Sequence, residues 1–128
     1  MASEAEAEKR LRAVPARVNA DAVLVGRGRL LEADVLIGVG SRGFILPVRA
    51  GSVRELEPAT RLMRPWTFAI RAAATDWLDH WREPPAPGWH DILAMSKTSK
   101  LTIEGNLVPF MQHLQYVKDV LAVARGTR

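Results

Sequence analysis

The chain has 128 residues, 48% of them hydrophobic and 25% charged, with a formal net charge of +4. That is the composition of one globular domain and excludes a disordered or fibrous chain. Cysteine is absent, which removes disulfides, thiolate metal ligands and cysteine nucleophiles and fits a reducing, cytoplasmic setting.

The segment Ser3 to Arg12 is rich in Glu and Ala with acid before base, and reads as a helix. Pro15 closes it. It has no apolar core of the secretory kind, and its apolar face is thin. The expectation is a charged N-terminal helix or arm over 1–15, followed by a single α+β domain over 16–125. No apolar stretch approaches the roughly 20 residues that span a bilayer.

The stretch Val18 to Leu56 reads mainly as strands, with residues 20–31 ambiguous between helix and strand. Ala33 to Val39 is an apolar, β-branched run, and Gly40-Ser41-Arg42-Gly43 supplies turn chemistry. Phe44 to Arg49 resumes the strand, and Ala50-Gly51 turns into Ser52 to Leu56. Pro47 lacks a donor and marks an edge or an irregularity.

Trp66 to Arg71 alternates, placing Trp66, Phe68 and Ile70 on one face of a further strand. The period then changes to that of a helix capped by Thr75, with Ala74, Trp77, Leu78 and Trp81 at helical spacing. A stiff linker, Pro84-Pro85-Ala86-Pro87-Gly88, separates it from a short helix over 89–97. Finally Lys100 to Glu104 alternates as a strand, Gly105 turns, Asn106 caps, and one amphipathic helix runs to Ala124. Its inward side is expected to carry Leu107, Phe110, Met111, Leu114, Val117 and Leu121.

Few residues carry chemistry. Asp76 and His80 are spaced to share one helix face and could exchange a proton. The commoner reading of such a pair is a solvated contact worth about 0.2–0.5 kcal/mol. His90, Asp91 and Glu104 complete the candidates for acid–base work, while His113 reads as solvated. No zinc-protease spacing, nucleophile elbow or phosphate loop occurs, so neither a metal nor a cofactor is expected. The arginines of the first half are spread thinly, with no basic run interleaved with aromatics. This argues against nucleic acid and leaves a weak attraction to anionic lipid.

The aromatic residues are more informative. All four Trp fall between 66 and 89 in a chain with three Phe and one Tyr. Each alone is an ordinary core residue. Together, Trp66, Phe68, Trp77 and Trp81 form an unusual amount of rigid apolar wall, which Met95, Phe110, Met111 and Leu114 can complete into a ligand pocket.

Three blocks occur in order: the hairpin Phe44 to Val53, the helix bearing Trp77 to Trp81, and Leu101-Thr102-Ile103-Glu104-Gly105-Asn106 leading into a final helix. This order resembles the sterol carrier protein family, in particular its small stand-alone bacterial members, over roughly residues 30 to 125. The resemblance implies an α+β fold with a five-stranded, mainly antiparallel sheet and helices on one face. It also implies an apolar tunnel for a fatty-acyl, sterol-like or polyketide-like molecule. Two other functions remain open: a small cofactor-independent isomerase, cyclase or hydrolase using the same pocket, and a non-catalytic interaction subunit or homodimer.

Overall fold

The computed structural model describes residues 2–59 and 65–125. Three helices come first: α1 (Ala2–Arg12), α2 (Val14–Asn19) and α3 (Ala22–Arg27). The strands β1 (Glu32–Val39), β2 (Arg42–Arg49), β3 (Ser52–Val53), β4 (Glu57–Pro58) and β5 (Phe68–Ala72) follow. The chain continues with α4 (Ala74–His80), α5 (Ile92–Lys97), β6 (Leu101–Gly105), α6 (Leu107–Gln112) and α7 (Leu114–Ala122). The strand reading is thereby corrected at Val18 and Asn19, and the stretch left open between helix and strand holds the helix α3. Pro15 sits in the first turn of α2, where its missing N–H costs nothing. Asp21 caps α3 by accepting from the Leu24 N–H at 3.1 Å.

The fold is α+β. The strands order as β3-β2-β1-β5-β6, with β4 also on β2, and every pair is antiparallel except β1 with β5. Period-two alternation sorts the side chains. Val35, Ile37 and Val39 of β1, Phe44, Leu46 and Val48 of β2, and Phe68 and Ile70 of β5 meet the helices in one continuous core. Helix α1 joins that core through fully buried Ala7 and Leu11, so its thin apolar face is fully used. Among the described residues, the opposite sheet face buries Leu36, Ile45 and Ala69, packed by Ala59 and Trp66.

Two expected elements differ in detail. The strand over 66–71 begins only at Phe68, and the chain bends at Thr67. The alternation therefore breaks, and Trp66 lies on the opposite sheet face from Phe68 and Ile70. The final helix is two helices. At His113 the backbone leaves helical geometry (φ −121°, ψ 31°). Beyond the break a new apolar stripe starts, with Tyr116, Val117, Val120 and Leu121 buried.

Candidate functional site

The space between the sheet and the helices is dominated by two indoles. Trp77 on α4 and Trp81 at its C-cap stand about one turn apart, fully buried, with rings stacked at 5.2 Å and 22°. A buried indole N–H without an acceptor is costly. Here both are satisfied: Trp77 Nε1 donates to the Gly38 carbonyl of β1, and Trp81 Nε1 to the Leu121 carbonyl of α7, each at 2.8 Å. The pair thus fastens α4 to the central strand on one side and to the last helix on the other.

Around them the same layer holds Phe68, Met95 and Phe110, all buried, with Leu114 partly buried against it. Phe68 and Phe110 meet edge to face, centroids 5.4 Å apart at 69°, an arrangement favoured by the ring quadrupoles. Of the eight residues proposed for the pocket, six therefore share one apolar layer. Trp66 does not, because it sits on the far sheet face, where the Arg71 guanidinium lies 5.9 Å from its ring. Met111 does not either, since it is 58% exposed.

Helix α6 is the loosest boundary of this layer. It is entered through Gly105, whose φ of +100° few other residues adopt, and capped by Asn106, whose side chain accepts from the Val108 N–H at 3.2 Å. Phe110 is its one buried side chain, while Leu107 (41% exposed), Val108 (62%) and Met111 face outward.

The acid–base candidates are engaged elsewhere. Asp76 accepts from Trp89 Nε1 at 2.9 Å, and His80 Nδ1 lies 2.7 Å from the Trp89 carbonyl. The two residues thus hold Trp89 between them instead of exchanging a proton. Asp91 caps α5 through the Leu93 N–H at 2.8 Å and pairs with Lys118 at 3.0 Å. Burial raises its pKa, but the Leu93 N–H and Lys118 outweigh burial and hold it below the usual carboxylate value. Glu104 pairs with Arg71 at 2.7 Å on the exposed edge, and His90 is exposed. His80 alone is buried, at 2% exposure, with its Nε2 lacking a partner among the described residues. Burial holds its pKa below the ordinary value. Among the described residues no three His, Asp or Glu side chains converge as metal ligands, and no helix is long and apolar enough to cross a membrane.

Tyr116 escaped the sequence reading. Its hydroxyl donates to the Gly51 carbonyl at 2.6 Å, and its ring lies against Gly28. Burial pushes its pKa up to about 12. Its spacing to Val120 and Ala124 was the available signal, and the assumption of one unbroken final helix hid it.

No family model matches the sequence, and no curated protein does. Solved structures do match in shape. A crystal structure of sterol carrier protein 2 superposes with a TM-score of 0.72 at 15% identity, covering 94% of this chain and 96% of that one. A conserved hypothetical protein from Thermus thermophilus gives 0.66 at 16% identity, covering 94% and 90%. The UbiJ-SCP2 ubiquinone synthesis protein gives 0.55 at 17% identity, covering 87% and 84%. The chain has the sterol-carrier-like fold.

Proposed function

We propose, starting from the sterol-carrier-like fold, that this protein binds and carries an apolar or amphipathic small molecule with a fatty-acyl, sterol-like or polyketide-like body. The observation that carries the reading is the attachment of α6. One side chain, Phe110, holds this helix to the apolar layer, and backbone breaks flank it at Gly105 and His113. In this reading the guest takes the place of Phe110 against Phe68. Leu114 and Met95 line the space, and the stacked Trp77 and Trp81 form its rigid back wall. Met95 suits the task because an unbranched thioether repacks around different guests.

The driving force is apolar burial, at about 0.8 kcal/mol per methylene removed from water, reduced by the cost of ordering the guest and the displaced helix. A polar end would remain beside Gln112 and His113, where the two last helices part. Trp66, on the other sheet face, takes no part. Asp76, His80, Asp91 and Glu104 are held in contacts of their own, so binding and not catalysis is the reading favoured here.

The direct test is native mass spectrometry after mild purification, joined to tryptophan-fluorescence titration with long-chain fatty acids and a sterol. A retained guest, or saturable quenching with one binding site, supports the reading. Absence of both with every ligand class would sink it.

A further inference from the structure

The longest run in the chain without Asp, Glu, Lys or Arg extends from Gly105 to Val117. It contains the whole of α6, a surface helix presenting Leu107, Val108 and Met111 to solvent. Single exposed apolar residues are ordinary, but three on one short uncharged helix are not. A fourth exposed apolar side chain belongs to the same end of the molecule. Gly28 lies against the Tyr116 ring, in the first turn of α7. Two residues on, Leu30 is 77% exposed. Beside it Arg29 is exposed, and its guanidinium donates to the Gly26 carbonyl at 3.1 Å.

We infer that this end, formed by α6 and the Arg29–Leu30 corner, seats the protein on a lipid surface. An uncharged apolar helix with a basic neighbour matches the interface of an anionic bilayer, where the helix lies in the plane and the guanidinium meets head groups. The choice of a lipid surface over a protein rests on the carrier reading above. The helix that docks is the same one whose inner residue, Phe110, closes the apolar layer. A guest released there passes from protein to bilayer without crossing water.

The test is co-sedimentation with vesicles of phosphatidylcholine alone and of phosphatidylcholine with phosphatidylglycerol. The wild type is compared with Leu107→Glu/Val108→Glu and with Val23→Glu. Val23 is 68% exposed but borders the opposite end of α7, beside Ala122 and Val123. The wild type is expected to bind both vesicle types, the anionic one more tightly. The double variant should partition about a hundredfold more weakly, the scale set by two apolar side chains that no longer leave water. Val23→Glu should behave as wild type, and fatty-acid titration of the double variant without vesicles should be unchanged.

Failure of the wild type to bind either vesicle overturns the inference, as does an equal loss in Val23→Glu. Sedimentation showing a wild-type dimer that the double variant splits, with no vesicle binding, assigns the face to a second copy and also overturns it. Vesicle binding without fatty-acid binding removes the carrier reading and leaves the docking surface standing. Fatty-acid binding without vesicle binding does the reverse.

Discussion

The Nδ1 of His80 lies 2.7 Å from the backbone carbonyl of Trp89. A carbonyl only accepts, so Nδ1 carries the proton and the lone pair of the buried Nε2 has no partner among the described residues. Burial, with Arg125 nearby, holds the folded pKa below the ordinary 6.5, against the opposing pull of the Trp89 carbonyl and Asp91. At low pH the unfolded chain therefore binds a proton that the folded chain resists. The stability this group contributes is complete above about pH 6.5 and is lost as pH falls below it. Urea denaturation at a series of pH values should show this acid-side loss, and His80→Phe should flatten it. The variant should also lose about 1–2 kcal/mol at neutral pH by stranding the Trp89 carbonyl. An unchanged acid limb in His80→Phe would remove His80 from the explanation.

The stacked indoles should behave as one unit. Trp77→Phe removes the indole donor to the Gly38 carbonyl, and Trp81→Phe removes the one to the Leu121 carbonyl. Each should lower stability by about 2–3 kcal/mol, combining a lost hydrogen bond with lost packing. Because the rings touch, the double variant should cost less than the sum of the two by about 0.5–1.5 kcal/mol. Denaturant midpoints of the four proteins close the cycle, and strict additivity would refute the coupling.

Phe110→Ala should loosen α6 more than it harms the fold. The truncation removes the single buried anchor of that helix and half of its contact with Phe68. A cost of about 3 kcal/mol is expected from Phe-to-Ala changes in cores. Amide exchange should accelerate over 107–112 well beyond any change in β1 or β2. Uniform acceleration across the sheet would show that Phe110 is a general core residue.

Tyr116 is the one tyrosine of the chain, so its ultraviolet titration is unambiguous. The folded protein should keep the phenol protonated past its ordinary value of 10.0, to about 12. A raised folded pKa stabilises the fold below the unfolded value and stops doing so as pH climbs through that interval. Tyr116→Phe should lose about 1–2 kcal/mol at neutral pH by stranding the buried Gly51 carbonyl, and should lose less on going alkaline than the wild type. Phenolate appearing at the ordinary value in the folded protein would contradict the burial.

Most of the frame was legible because it rests on local periodicity. The hairpin around Gly40 and Ser41, the Trp-bearing helix and the final strand each follow from alternation or helical spacing within a few residues. The failures share a cause. Val14 to Arg27 is two short helices whose apolar residues are too few to reveal a period, and only the Asp21 cap distinguished them from strand. Trp66 changed face because a bend at Thr67 shifted the strand start by two residues. Leu107 and Met111 continued the expected stripe, but the break at His113 let Tyr116 and Val120 take the core instead. Of the proposed pocket, six residues share the apolar layer, while Trp66 and Met111 fall outside it. The Asp76–His80 pairing failed for a different reason, since the partner of both, Trp89, lies across a proline-rich turn that no spacing rule connects.

The central position of β1 has a consequence for the order in which the molecule assembles. It pairs along its whole length with β2, its immediate neighbour in the chain, but from Val35 to Val39 it also pairs in parallel with β5, which arrives only after β3 and β4. The antiparallel half can form early at small loop-closure cost, whereas the parallel half must wait for a distant strand. Hydrogen exchange during refolding should therefore protect Ile37 and Phe44, which pair between β1 and β2, before Ile70. Everything that hangs on β5 follows it, including Phe68, β6 and, through Phe110, the helix α6. Helix α6, held by one buried side chain, is thus the last part of the apolar layer to close.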